Sequence, residues 1–408
     1  MAALIKAPLI AFAKKVMYSV LRKFTHGELR FIYKNQDSKE KPKNINFGCG
    51  TPSASIYIHD EWVWVRVFFS GSLGLAEAYM LGEVECSDLY TIFKICLSNQ
   101  RQNADADKSR NILAALAPLF ATSNTIAKSK QNISDHYDLS NNIFAAFLSP
   151  DMSYSCPLWL PAQDPGVSDD SVQMAQRRKY SYHIKAARIQ PSDNILEIGT
   201  GWGSFAIQAV QETGCTVTTI TLSKEQVAWA EKAVRAAGLE AKIRIICCDY
   251  REVEQLGVKY DKIVSIEMME HLGLDNLKTY FSTINKLLVE DGGIATFQCT
   301  MVAESFVKNS RENSFVGKYI FPGGAIPSLT EVTTAVNKGS KQSLIIDRVE
   351  SLGGYGQVLH KWSLAFERNF ESNIKPELVA LFPDITETGI HVFRRKWLVS
   401  YLFALEKY

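Results

Sequence analysis

The run Asn194-Ile195-Leu196-Glu197-Ile198-Gly199-Thr200-Gly201-Trp202-Gly203-Ser204 is the segment of this chain best equipped to meet a ligand. It reads as a buried strand that breaks into a turn with glycines at 199, 201 and 203. Glycine accepts positive φ and carries no Cβ, so such a turn lets the backbone approach a ligand where any side chain would collide. Two cofactor classes use glycine turns after a first strand, and the flanking residues separate them. A dinucleotide site pairs G-x-G-x-x-G with an acid roughly 20 residues on, at the end of the second strand, which binds the ribose hydroxyls. Here the spacing is G-x-G-x-G, and the second strand, 215–222, ends in Thr221-Leu222-Ser223 with no acid.

Glu197 stands two residues before the first glycine, where class I methyltransferases that use S-adenosylmethionine typically carry an acid. The glycines alone fit an ordinary strand-to-helix turn equally well. Taken with their flanks, they favour the methyl donor over a nicotinamide.

The elements that must position this turn follow from pattern. From about residue 193 onward, apolar strands at 194–198, 215–221, 242–247, 261–266 and 293–299 alternate with amphipathic helices at 204–213, 224–237 and 274–289. That alternation is the doubly wound α/β signature. Residues 45–70 instead alternate in the strand manner, at 55–58 and 62–68, and 71–97 reads as turns and short helices. The division expected is a smaller α+β N-terminal domain over 1–98, a polar linker and connecting helix over 99–130, and a catalytic domain over 131–408. No internal repeat is visible.

Composition narrows the function classes. The 408 residues carry a formal net charge of +2, which gives no nucleic-acid footprint. Eight cysteines form no C-x-x-C pair and no cluster with histidine, so no metal site is expected and reduced thiols in the cytoplasm are the default. No apolar run reaches the roughly 18 residues that span a bilayer. The first 27 residues contain no acid and carry Lys6, Lys14, Lys15, Arg22 and Lys23, with Leu9, Phe12, Ala13, Val16, Val20 and Phe24 at helical spacing. Three readings stand for them: a helix packed on its own domain, a helix on an anionic membrane surface, or a mitochondrial presequence.

Further runs, in this order, resemble one family over nearly the whole chain. They are Gly71-Ser72-Leu73-Gly74-Leu75-Ala76-Glu77-Ala78-Tyr79-Met80, His136-Tyr137-Asp138-Leu139-Ser140-Asn141, Tyr154-Ser155-Cys156, the glycine turn, Thr221-Leu222-Ser223-Lys224-Glu225-Gln226, Glu270-His271 and Tyr319-Ile320-Phe321-Pro322-Gly323-Gly324. The chain is similar to the cyclopropane fatty acid synthases and their mycolic acid, sphingolipid and alkaloid methyltransferase relatives.

The resemblance implies a Rossmann-like class I methyltransferase fold and a set of roles. Tyr154 and Ser155 approach S-adenosylmethionine. Glu197, Gly199, Gly201, Trp202 and Gly203 surround its methionyl part, and the Thr221-Leu222-Ser223 end with Gln226 reaches the ribose. A hydroxyl and an amide can satisfy ribose hydroxyls without a charge. Asp249, Tyr250 and Arg251 lie near the adenine. Methyl attack on a cis alkene leaves a carbocation that must lose a proton, and similar enzymes hold a bicarbonate as base. Its site carries over onto Cys156, Glu270, the 298–300 strand end with Gln298, and Tyr355. Trp202 and Phe321 offer aromatic faces to positive charge.

Two departures bear on the acceptor. Gln298 stands where bacterial fatty-acid enzymes place a histidine, and Glu267 adds an acid where they are small. Plant alkaloid N-methyltransferases look similar there, with two acids and a histidine, here His271. The family's usual C-terminal tail is missing, and Leu405 stands where a cysteine is often found. The expected partners are therefore a lipid acyl chain or, alternatively, a small-molecule amine or secondary metabolite or a sphingolipid taking the methyl group on carbon or nitrogen, with peripheral membrane contact, cytoplasmic location and a homodimer as further expectations.

Overall fold

The computed structural model describes residues 2–33, 43–100, 139–307, 315–321 and 324–403. His136 and most of the expected linker lie outside them. The chain forms two compact units: residues 138–312 and 321–381 make the larger, while 1–137, 313–320 and 382–407 make the smaller. The sequence division at 131 thus places in one domain two segments, 313–320 and 382–407, that belong with the N-terminal unit.

In the smaller unit, helix α1 (Ala2–Leu21) precedes strands β1 (Gly27–Tyr33), β2 (Lys43–Cys49) and β3 (Ser53–Ile58), helix α2 (Val63–Met80), strand β4 (Val84–Cys86) and helix α3 (Leu89–Gln100). The strands form a mixed sheet in the order β2-β1-β3-β4, with β1 and β3 parallel. Leu29, Phe31 and Tyr33 alternate inward from β1 and pack on Trp64 and Phe68 of α2 and on Ala13 and Leu21 of α1. The apolar face of α1 therefore packs on its own unit, as the first of its three readings expects. Lys15, Arg22 and Lys23 are left exposed.

One expectation is corrected here. Residues 62–68 read as a strand, yet Val63–Phe68 form the first turns of α2, which kinks at Gly71. Val63, Trp64, Val65 and Phe68 are all buried. A helix start enclosed on several sides has no polar stripe, so β-branched and aromatic residues there mimic strand alternation, and packing overrides their β preference.

The larger unit runs through α4 (Asn141–Ala145), α5 (Val172–Ala186), β5 (Asn194–Ile198), α6 (Ser204–Thr213), β6 (Thr216–Thr221), α7 (Lys224–Ala236), β7 (Ile243–Cys247), β8 (Lys262–Ile266), α8 (Leu277–Leu287) and β9 (Ile294–Gln298). After the segment α9 (Phe315–Tyr319), which belongs to the smaller unit, come α10 (Leu329–Gly339), α11 (Tyr355–Arg368) and α12 (Lys375–Leu381); α13 (Glu387–Phe403) returns to the smaller unit. The five strands are all parallel, ordered β7-β6-β5-β8-β9. Apolar helix faces cover both sides of the sheet, through Phe205, Ala209 and Val234 in one cluster and Tyr280, Phe281 and Ile284 in another. The order reverses at β5, so the carboxyl ends of β5 and β8 flank a crevice where such sheets bind ligands.

Candidate active site

The glycine turn leaves β5 at that crevice. The backbone N–H groups of Gly199 and Thr200 both donate to the Ile220 carbonyl at 3.0 Å, and Thr219 Oγ1 donates to Thr200 Oγ1 at 2.7 Å, which ties the turn to β6. Gly201 (φ 51°) and Gly203 (φ 94°) are both left-handed but differ in surroundings. A Cβ on Gly203 would lie 3.2 Å from Ala230 Cβ, whereas one on Gly201 would meet nothing within 4 Å. Packing of α6 on α7 requires Gly203; Gly201 borders open space. Trp202 is held by an indole N–H bond to Asn141 Oδ1 at 2.7 Å and by the Phe144 ring 5.1 Å away.

Three carboxyl groups around the crevice keep a buried oxygen with no partner: Asp151 Oδ1, Glu197 Oε2 and Glu270 Oε2. Burial pushes the Glu197 carboxyl up to about 8. An unpaired buried carboxylate is costly, so this set suits a cationic ligand.

At the end of β6, Thr221 Oγ1 donates to Gln226 Oε1 at 2.6 Å, and Ser223 caps α7 by accepting from the Gln226 N–H at 3.2 Å. Between them Leu222 is 71% exposed. After β7, Asp249 is bound by the Arg251 guanidinium through two bonds of 2.7 Å, which hold its carboxyl below the usual range, while the Tyr250 ring is buried edge-on to Tyr280. The Tyr154 ring lies 5.1 Å from Trp362 and 5.5 Å from Phe144.

The densest polar network gathers at the ends of β8 and β9. Glu267, directly after β8, adopts a left-handed backbone (φ 51°) and donates its N–H to the Gln298 carbonyl at 2.8 Å. A non-glycine residue in that conformation costs about 1 to 3 kcal/mol and persists where its surroundings over-determine it. Its Oε1 accepts from the Cys156 N–H at 2.7 Å and from Gln298 Nε2 at 2.8 Å, and its Oε2 faces the Tyr355 hydroxyl at 3.4 Å. Burial raises the Glu267 carboxyl; the Cys156 N–H, the Lys179 ammonium, Gln298 and Tyr355 all oppose the rise.

Glu270, one 3₁₀ turn later, accepts the Thr300 N–H through Oε1 at 2.5 Å. Burial, and then the charge of Glu267, push its carboxyl up to about 8. The two carboxyls are unequally served: Glu267 has three donors and the Lys179 cation nearby, whereas Glu270 is met by Thr300 and by its own N–H, with no cation, and feels the charge of Glu267. Glu267 ionises first and Glu270 keeps its proton at neutral pH.

The expected site residues fall into place unevenly. Cys156, Gln298 and Tyr355 converge, but on Glu267 rather than on Glu270. The donors that the resemblance gives to a bicarbonate are therefore engaged by a carboxylate of the chain itself. Cys156 contributes its backbone; its thiol, raised by burial and by Glu267, donates to the Gly353 carbonyl at 3.4 Å. His271 is exposed, edge-on to Phe321 at 5.0 Å, and hydrogen-bonds to neither glutamate.

Sequence reasoning missed three residues of α5. Gln176, Lys179 and His183 are buried on one face of that helix. His183 Nε2 lies 3.3 Å from Gln298 Oε1, and Nδ1 lies 3.4 Å from Thr296 Oγ1. Because the Gln298 amide nitrogen donates to Glu267 and to the Cys156 carbonyl (2.9 Å), its Oε1 needs a donor, which assigns the proton of a neutral His183 to Nε2. Burial holds that imidazole down to about 4. The signal was the spacing 176, 179, 183, masked by Arg177 and Arg178 between them.

Known proteins share both the sequence and the fold. A profile of the family described as mycolic acid cyclopropane synthetase matches residues 124–397. The chain is 31% identical to the tuberculostearic acid methyltransferase UfaA1 of Mycobacterium tuberculosis, over 88% of this chain and 83% of that one. It is 29% identical to the cyclopropane-fatty-acyl-phospholipid synthase of Escherichia coli K12, over 85% and 82%. The crystal structure of the mycolic acid cyclopropane synthase CmaA1 complexed with SAH and CTAB superposes with a TM-score of 0.54 at 26% identity, over 68% of this chain and 94% of that one. The chain belongs to the mycolic acid cyclopropane synthetase family.

Proposed function

We propose that this protein transfers a methyl group from S-adenosylmethionine to a double bond of an unsaturated lipid acyl chain, and that Glu267 takes up the proton released. The convergence of Cys156 N–H, Gln298 Nε2 and Tyr355 O–H on Glu267 carries this reading. S-adenosylmethionine, when bound, supplies a methyl group on a sulfonium that a weak nucleophile can attack. The residues present fit it: an open turn at Gly201, and unpartnered carboxyl oxygens of Asp151 and Glu197 for its positive charges. Tyr154, Ser155, Gly199, Gly203, Thr221 and Gln226 would complete its site.

Once the alkene π pair has bonded to the methyl carbon, the neighbouring acyl carbon is electron-deficient. Product forms when a C–H pair becomes a new carbon–carbon bond, closing a cyclopropane, or a new double bond after a hydride shift. Either way one proton leaves and the lipid gains one CH2. A bare carboxylate beside that cation would be alkylated. Glu267 avoids this because donors on both its oxygens lower its nucleophilicity, while proton uptake needs only one lone pair. Glu270, protonated and one turn away, adds no second negative charge to compete.

The names of the two sequence relatives refer to fatty acids and their phospholipids, which supports a lipid acceptor. The exposed basic residues of α1 and of the turn after it, with Phe12, 52% exposed, support peripheral contact with an anionic leaflet. Methylation of an amine by Glu267 with His271 is less well supported, because His271 lies outside the network. Incubating the protein with methyl-labelled donor, unsaturated phospholipid vesicles and a panel of amines tests the reading. Label in fatty acids heavier by one CH2 supports it; label confined to amines overturns it.

A further inference from the structure

We infer that Lys179 is a positioning residue for methyl transfer, a buried cation that clamps the Ser155–Cys156 peptide and keeps Glu267 in its carboxylate form. The inference rests on the reading of Glu267 as proton acceptor given above. Helix α5 places Gln176 and Lys179 at i and i+3, on the same face, and both are fully buried. Lys179 Nζ lies 2.5 Å from Ser155 Oγ and 2.6 Å from Gln176 Oε1, and Gln176 Nε2 donates to the Ser155 carbonyl at 2.7 Å. Both ends of Ser155 are therefore fixed by one turn of α5. The next N–H in the chain, that of Cys156, is the one that binds Glu267.

A buried ammonium is normally neutralised by a carboxylate in contact. Both hydrogen-bond partners of Lys179 are neutral, and its charge is answered at longer range by Glu267 and Asp151. Burial pulls its own affinity for a proton down to about 8, which still leaves it charged at neutral pH. A lysine has three donors and no acceptor. Ser155 Oγ therefore accepts from Lys179, and its own hydrogen is left to point at an acceptor, which suits the carboxylate of the methyl donor. One buried charge thus serves both halves of the site.

The groups facing Glu267 are Lys179 from α5, Cys156 from the 155–156 turn, Gln298 from β9, Cys299 directly after it with a thiol that burial keeps protonated, Tyr355 from α11 and Glu270 from its own turn. His183 and Tyr180, also on α5, are neutral at physiological pH. Lys179 is the one cation in that set, so its removal is expected to raise the Glu267 carboxyl by about one pH unit or more. A role in folding alone would leave that titration in place.

The test compares wild type with K179Q, which can still bond Ser155, and K179R, which keeps the charge. The carboxyl band of Glu267, assigned by its loss in E267Q, is titrated by difference infrared spectroscopy, and the pH profile of methyl incorporation into unsaturated phospholipid vesicles is measured beside it. K179Q is expected to move both the Glu267 titration and the acid limb of the rate profile upward by about one unit or more, with roughly tenfold less turnover below the limb. K179R is expected to hold both where wild type has them. A K179Q titration that coincides with wild type, or a K179R titration displaced as far as K179Q is expected to be, overturns the inference even if K179Q alone fails to fold. A shifted K179Q titration in a protein whose wild type methylates no acyl chain supports the role of Lys179 and overturns the proposed function instead.

Discussion

The backbone N–H of Cys156 reaches the carboxylate of Glu267 at 2.7 Å, joining the turn before α5 to the end of β8. That single bond places an anion of the chain where three donors meet. It also explains why Glu267 holds a left-handed backbone: the strained φ of 51° is fixed by its own N–H on Gln298 and by the donors on its side chain.

Glu270→Gln is expected to lower turnover by less than tenfold at neutral pH. The carboxyl is pushed up to about 8 and holds its proton there, so an amide of the same shape replaces it closely. Above pH 8 wild type loses that proton and the mutant does not. The rate ratio of mutant to wild type should then change between pH 7 and 9, which steady-state kinetics across that range will read; a loss of 10²-fold or more at pH 7 would place Glu270, not Glu267, as the proton acceptor.

Glu197 is expected to couple donor binding to pH. Its carboxyl is raised from 4.5 to about 8, so between those values the folded chain holds a proton that the unfolded chain has released. The stability this gives is present at low pH and is lost as pH rises through about 8. Melting of the ligand-free protein should therefore fall over that window, less so in Glu197→Gln. Binding of a cation beside Glu197 favours ionisation and should release protons. Titration calorimetry at pH 7 in buffers of different ionisation enthalpy counts them, and proton release equal in wild type and Glu197→Gln would contradict the assignment.

The two left-handed glycines should separate binding from folding. Gly201→Ala faces open space and costs about 1 to 2 kcal/mol in backbone strain, and is expected to put a methyl group into the proposed donor site. Gly203→Val drives a branched side chain into Ala230 and should lower Tm by much more. Thermal melts with and without donor distinguish them: Gly201→Ala should melt near wild type and lose most of its donor-induced stabilisation.

Much of the larger unit was legible because its strands are rich in β-branched and apolar residues and its helices are amphipathic, the pattern of a sheet covered on both faces. The glycine turn and the acid-free end of β6 pointed to the cofactor class for the same local reasons. The hub of the site was not legible. Glu267 and Glu270 lie three residues apart, and only the left-handed backbone at Glu267 decides which of them meets Cys156, Gln298 and Tyr355. Lys179 sits in Arg177-Arg178-Lys179, which looks like a solvated basic run; burial of its third member depends on the turn from Ser153 to Cys156 folding over it. Trp62–Phe68 failed for a related reason, since a helix start enclosed by neighbours hides its period.

The exposed basic residues of α1 and of the turn after it predict a salt-dependent membrane affinity. Lys15→Glu, Arg22→Glu and Lys23→Glu together should abolish co-sedimentation with anionic vesicles at low salt, where wild type binds and is released as screening shortens to about 8 Å at physiological ionic strength. Equal binding of wild type to neutral and anionic vesicles would contradict the membrane-surface reading of this segment.

The most direct measurement is methyl incorporation into unsaturated phospholipid by wild type and Glu267→Gln, in buffer freed of carbon dioxide and again with bicarbonate added. Wild type is expected to turn over equally in both. Glu267→Gln is expected to bind the donor with near-normal affinity and to lose 10²-fold or more in turnover, the usual loss when a positioned proton acceptor is removed. A Glu267→Gln enzyme as active as wild type, or a wild type that stalls until bicarbonate is restored, would contradict the central claim that the carboxylate of Glu267 is the base.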